Sequence, residues 1–258
     1  AFRECIEISH EEGLGRIEVA NRYMTGLTRR YLNEMKEALD DASAAKQLAI
    51  EVGHHRSEMY STNFSAEFLL DMGRVDEALK DSLRALELTF LTGNERFRAY
   101  VMNQQARGFM VSGARKEALD ILSEAISISR KVGMSFVGPR LLGTFSVCSI
   151  DEDARKAALK EGSQILKSGC HAHNRLWFLR DAIESSLISD NRELVLKYSD
   201  WLEKITEKEP LPWSKYFIER GRAIVRLRSA PDDGENKQKI IHLMKVAKNV
   251  GFSSHEMR

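Results

Sequence analysis

Proline is scarce in this sequence: Pro139, Pro210, Pro212 and Pro231 are the only four. An all-β sandwich needs frequent turn residues and alternating apolar and polar positions, and both are sparse here. Cysteine is scarcer still. Cys5, Cys148 and Cys170 are odd in number and far apart, which argues against a disulfide framework and for a reducing, cytoplasmic compartment. In such a compartment the sequon Asn63-Phe64-Ser65 is accidental. No apolar run is long enough to span a bilayer, so no membrane partner is expected. Charge of one sign is missing too. Lys and Arg total 39 against 38 Asp and Glu, which leaves none of the basic excess of a nucleic-acid binder. The chain starts Ala1-Phe2-Arg3-Glu4-Cys5, with neither an initiator Met nor a signal-peptide pattern, and reads as a fragment of a longer protein.

What is abundant is helix-forming. Ala, Leu, Glu, Lys and Arg dominate, and these residues lose least in a helix. A 40-residue repeat runs through them. Asn33-Glu34-Met35-Lys36-Glu37-Ala38-Leu39, Gly73-Arg74-Val75-Asp76-Glu77-Ala78-Leu79, Gly113-Ala114-Arg115-Lys116-Glu117-Ala118-Leu119 and Asp153-Ala154-Arg155-Lys156-Ala157-Ala158-Leu159 follow one another at that step. Three more columns share it: Gly13, Gly53, Gly93, Gly133; Ala45, Ala85, Ala125, Ile165; and Gly26, Ala66, Ala106, Ser146. Gly53, Gly93 and Gly133 follow apolar-periodic stretches, where a helix ends on a left-handed residue. Gly73 and Gly113 turn one helix back on the next, and Asn33 tolerates the same backbone region. Each unit is therefore helix, turn, helix, turn. The small residues let the helices approach closely.

The pattern resembles the tetratricopeptide repeat (TPR). That family places a small residue in the middle of its first helix and two alanines seven apart in its second. Ala66, Ala78 and Ala85 match these places, as do Ala106, Ala118 and Ala125, and upstream Gly26, Ala38 and Ala45. The usual repeat is about 34 residues, so the longer step implies helices longer by nearly a turn. Thr62 and Met102 stand where the family has an early aromatic. The long-helix variety is similar to the C-terminal repeat regions of bacterial signalling ATPases and nucleotide cyclases. The resemblance implies an all-α fold, a right-handed superhelix (α-solenoid) of stacked antiparallel hairpins. Residues 1–258 are expected to form one domain, with regular repeats over 13–168 and degenerate hairpins over 169–258. Helices are expected near 14–32, 34–52, 54–72, 74–92, 94–112, 114–132, 138–150, 152–168, 172–189, 191–207, 212–229 and 235–250, with Pro139 in a first turn.

TPR ligands lie on the concave face lined by the first helices, and the resemblance places Tyr23, Arg30, Tyr60, Asn63, Glu67, Tyr100, Asn103 and Arg107 there. Leu27, Tyr31, Leu70, Asp71, Met110, Val111, Arg140, Gly143, Val147 and Ile150 share that face. Asparagine amides can bond a peptide backbone without adding net charge. Tyrosines supply area and a polar tip. Arg30 and Arg107 could receive a carboxylate. The competing reading makes these interhelix packing groups with tips in water. Trp177, Phe178, Trp201, Trp213, Tyr216 and Phe217 are expected mainly in the core, and Arg220, Arg222, Arg226 and Arg228 on a solvated face.

Cys170-His171-Ala172-His173 and His54-His55 lack the converging geometry of a zinc site, so no metal and no cofactor is expected. Cys148 reads as a buried small hydrophobe. Gly138-Pro139-Arg140-Leu141-Leu142-Gly143 lacks the P-loop lysine, and neither HExxH nor GxSxG occurs. The expected function is a non-catalytic module that binds a protein or peptide and regulates a neighbouring domain. A small-molecule sensor with a metabolite in the same groove is the alternative. Self-association through exposed end repeats also stays open.

Overall fold

In the computed structural model, which describes residues 1–252, the chain is all-α. Its helices are α1 (Phe2–Glu11), α2 (Gly15–Tyr31), α3 (Met35–Glu51), α4 (His55–Asp71), α5 (Val75–Leu91), α6 (Glu95–Val111), α7 (Arg115–Val132), α8 (Gly138–Cys148), α9 (Glu152–Ser168), α10 (Ala172–Ile188), α11 (Arg192–Thr206), α12 (Pro212–Ser229) and α13 (Gly234–Val250). No strand occurs among the described residues. None of these helices is long and apolar enough to cross a membrane. The fold is a TPR-like α-solenoid of helical hairpins.

The expected helices are present, and α1 is an addition: the 40-residue pattern was read as starting at Gly13. The turns follow one mechanism. Val52 caps α3, Gly53 takes φ 64°, the Gly53 amide donates to Ile50 O and the His54 amide to Ala49 O. Asn33 at φ 65° closes α2 with the equivalent bonds to Arg30 O and Arg29 O. This is the paired 6→1 and 5→2 bonding that satisfies the last carbonyls of a helix. Gly13 at φ 65° closes α1 in the same manner, with Leu14 N bonded to Ser9 O.

The chain divides into two compact units, Ala1–Ala114 with residues 250–252, and Arg115–Asn249. In the first unit each helix from α2 to α6 packs on its sequence neighbours, and α2, α4 and α6 also touch one another in order. Small residues fill the seams. Ala38, Ala45, Ala66, Ala78, Ala85 and Ala106 are all buried. A Cβ on Gly26 would lie 2.8 Å from Ala38 O and 3.3 Å from Phe68, so helix α2 closes on α3 only with glycine there.

In the second unit α8 packs on α9 and α10, α10 on α11 and α12, and α11 on α12. Pro139 lies in the first turn of α8 and Pro212 in that of α12, where a missing amide costs little. Trp177, Phe178, Trp213, Tyr216 and Phe217 are buried, as expected, and Trp201 packs against the core at its edge. Cys148 is buried.

Candidate functional site

The first helices of the first unit present one face each. Tyr23, Leu27 and Arg30 lie on α2, while Tyr60, Asn63, Phe64, Glu67 and Asp71 lie on α4. Helix α6 adds Phe97, Tyr100, Gln104 and Arg107. The spacings of three, four and seven keep each set on one side of its helix. Two layers result.

The first layer is aromatic. Tyr23 stands 5.9 Å from Tyr60 and 5.6 Å from Phe64, ring centre to ring centre. Tyr60 meets Phe97 edge-on at 4.6 Å, and Phe97 lies 5.1 Å from Tyr100. These tilted and edge-on contacts suit the ring quadrupoles. The strip therefore crosses all three helices, with Tyr23 and Tyr60 at its partly exposed rim.

The second layer is ionic and sealed. Arg30 is fully buried and pairs with both Glu67 and Asp71, its Nε donating to Asp71 at 2.9 Å. Arg107 Nη2 donates to the other Asp71 oxygen at 3.0 Å. Tyr100 OH and Gln104 Nε2 donate to Glu67 Oε2 at 3.0 and 3.1 Å. Two arginines and two carboxylates leave the cluster neutral, and each carboxylate is held by groups from two other helices. Burial works against the Arg30 charge, but Asp71 and Glu67 outweigh it and hold the guanidinium more firmly protonated than usual.

This arrangement corrects part of the sequence reading. Arg30 and Arg107 are not open receptors for a ligand carboxylate, because Glu67 and Asp71 already occupy them. Tyr100 is buried against Glu67 rather than presented as a handle. Asn63 and Asn103 are both fully buried. Asn63 stands apart: neither atom of its amide has a hydrogen-bond partner, although it lies one turn before Glu67 on the same face. Phe64, Phe97 and Gln104 belong to the site and were not anticipated. The 40-residue step finds none of them, because position 64 recurs as Gln104 rather than as a second aromatic.

The second unit builds its first-helix row differently. Arg140 of α8 and Arg180 of α10 lie over the Trp177 ring at 4.0 and 4.7 Å. Trp213 of α12 stands 5.3 Å from Trp177 and 4.8 Å from Phe217. Arg180 pairs with Asp181 at 2.6 Å, and Thr144 donates to Asp181 at 2.9 Å. Arg220 pairs with Glu184 and is buried, which corrects its expected place on a solvated face. Arg222 does lie outside, between Asp200 and Glu203. Of the four α8-region positions expected on this face, Arg140, Gly143 and Val147 are buried in the unit. Ile150 lies past the helix end and is exposed. No group of three or more His, Cys, Asp or Glu suited to a metal ion occurs among the described residues.

No protein-family model matches the chain, and no curated protein matches it either. Solved structures do. The apo form of RapI is similar over 90% of this chain and 84% of its own, at 14% identity and a TM-score of 0.65. A Rap protein complexed with Competence and Sporulation Factor is similar over 95% of this chain and 73% of its own, at 12% identity and a TM-score of 0.67. At these identities the likeness establishes the helical-repeat fold.

Proposed function

We propose that this chain is a non-catalytic helical-repeat module that binds an extended peptide or protein segment along α2, α4 and α6, and acts as a regulatory or scaffolding part of a larger cytoplasmic signalling protein. The observation that carries the reading is Asn63. A buried amide without partners costs about 1–3 kcal/mol, and Asn63 bears this cost at the junction of the aromatic strip and the ionic cluster. A peptide backbone presents one donor and one acceptor per residue, which is the complement of an asparagine side chain. An incoming segment would meet the rim tyrosines Tyr23 and Tyr60 first and would turn their rings aside to reach Asn63.

The ionic cluster gives such binding a consequence. Arg30, Glu67, Asp71 and Arg107 tie three helices together, and Glu67 lies one turn from Asn63. A ligand that shifts α4 against α2 or α6 changes a set of paired charges, and buried pairs tolerate few intermediate geometries. Occupancy would thus select one helix arrangement over another. The complex of a Rap protein with Competence and Sporulation Factor supports the reading through a shared fold. An effector domain attached to the repeats, as the sequence resemblance to signalling ATPases and nucleotide cyclases implies, would receive this change in helix arrangement.

The test selects short random peptides on the wild-type chain and then measures their affinity for Asn63→Leu. Leucine keeps the branched skeleton of asparagine and removes the unpartnered amide but brings bulkier methyl groups, so the variant should stay folded, within about 1–2 kcal/mol of the wild type in denaturant. It should also bind the selected peptides roughly tenfold or more weakly. Equal affinity in a folded Asn63→Leu protein, or a selection that yields no peptide, would sink the proposal.

A further inference from the structure

A cavity lies in the other unit, between the second helices of two hairpins. It has a volume of about 350 Å³, opening between α9 and α11. Four lysines ring it: Lys156, Lys160 and Lys167 from α9, and Lys197 from α11. Its floor is mainly apolar, made by Leu159 and Tyr198, both buried, with Leu194 half-buried beside them. No acidic residue lines it.

That absence is unusual for a chain with almost equal numbers of acids and bases, and the acids nearby are committed elsewhere. Glu152 pairs with Lys156 at 2.6 Å, on the exposed side of α9. Glu161 faces the other way and takes Arg130 at 3.0 Å. Asp200 and Glu203 of α11 both hold Arg222. Glu193, one turn before Lys197, makes no ion pair and does not line the cavity. Among the described residues, no acid comes within ion-pair distance of Lys160, Lys167 or Lys197. Lys160 and Lys167, two turns apart on α9, and Lys197 from the facing helix are left uncompensated and repel one another. An anion at their centre relieves this, and the apolar floor rewards a ligand that also carries hydrocarbon.

We propose that this cavity binds a small organic anion, an acyl or aryl group ending in a carboxylate or phosphate, with the apolar part on Leu159, Leu194 and Tyr198 and the charge among the lysines. The site is independent of the peptide reading, since it uses different helices and a different unit.

Calorimetric titration of the full chain with octanoate, octyl phosphate (below its micelle concentration), octylamine and inorganic phosphate tests this. Octanoate and octyl phosphate should bind with a stoichiometry of one, and inorganic phosphate alone roughly tenfold more weakly, because it lacks the apolar part. The double variant Lys160→Ala/Lys197→Ala should lose roughly tenfold in octyl phosphate affinity with unchanged helicity, while Lys160→Arg/Lys197→Arg keeps it. Octylamine binding as well as octanoate would overturn the proposal. So would an unaffected alanine variant, or inorganic phosphate binding as tightly as its octyl ester. A further arm uses phosphatidylserine vesicles. Binding to the vesicles without binding to the soluble anions would mark a membrane-facing lysine surface and would also overturn it.

Discussion

The two units surround the arginines between their first helices differently. In the first unit the regular repeat keeps alanine and glycine in the seams, so helices come close and Arg30 and Arg107 are met by carboxylates from α4. In the second unit Gly143 lets α8 close on α10: a Cβ there would lie 3.0 Å from Asp181 and 3.3 Å from the Phe178 backbone. Trp177, Trp213 and Phe217 stack from α10 to α12, and Arg140 and Arg180 lie against the Trp177 ring. One unit shares two arginines between two carboxylates of a single helix, while the other adds close aromatic faces to one-to-one ion pairs, Arg180 with Asp181 and Arg220 with Glu184. Small residues keep the seams close in both units, at Gly26 in the first and Gly143 in the second. What differs is the weight of the aromatic contact: Arg30 lies 5.6 Å from the Phe68 ring, Arg140 only 4.0 Å from that of Trp177.

The comparison breaks most visibly at Arg30. Arg30→Met leaves Glu67 and Asp71 buried with one guanidinium between them, and removing one partner of such a group costs about 3–5 kcal/mol. All three tryptophans lie in the second unit, so tryptophan fluorescence follows that unit alone while circular dichroism follows both. In a repeat protein, stability is close to a sum over neighbours. The Arg30→Met transition should therefore shift further by circular dichroism than by fluorescence. Equal shifts by both probes would show that the chain unfolds as one cooperative body. Arg180→Met is the matched change in the second unit and should cost less, about 3 kcal/mol, the low end of the same range, because it strands one carboxylate rather than two. It removes one ion pair and stacking on Trp177 and Phe217, yet Asp181 keeps the Thr144 hydroxyl. If the two substitutions cost the same, the contrast between an arginine shared by two carboxylates and one paired with a single carboxylate fails.

Much of this was legible in the sequence, and the reasons are local. The glycine and Asn33 columns fix the turns because only residues at ease with positive φ can close each helix. Helix α1 lay outside the expected set although Gly13 heads a column whose Gly53, Gly93 and Gly133 close α3, α5 and α7. The columns also brought Arg30, Glu67 and Arg107 to one side of the array. What they could not supply was pairing. Arg30 and Asp71 lie 41 apart; otherwise the offset is 37 for Arg30 and Glu67, 36 for Asp71 and Arg107, 37 for Thr144 and Asp181, and 36 for Glu184 and Arg220. The shorter offset is one turn short of the repeat, and it recurs in both units even where the repeat itself is worn. Opposite charges at that offset were present in the sequence all along. The unpartnered state of Asn63 had no sequence signal, because it depends on what the surrounding helices fail to offer.

The smallest effect is expected at the rim of the first unit, where a carboxylate is shielded but not sealed. Glu18 of α2 takes Arg22 at 2.6 Å, one turn away, and His10 of α1 at 3.2 Å. Burial pushes its carboxyl up, but the hydrogen bonds from Arg22 and His10 outweigh this and hold it below its ordinary 4.5. A depressed carboxylate binds its proton more readily when unfolded. Its contribution is therefore complete above the unfolded value and is lost as the pH falls through the folded one. Between pH 6 and pH 3 the wild-type chain should lose more stability than Glu18→Gln, by less than about 1 kcal/mol because solvent screens the pair. Amide exchange should place the loss in α1, which the Glu18 and His10 contact ties to α2. If Glu18→Gln tracks the wild type across this range, the rim pair carries no stability. The electrostatics of the unit would then reside in the sealed cluster of Arg30, Glu67, Asp71 and Arg107.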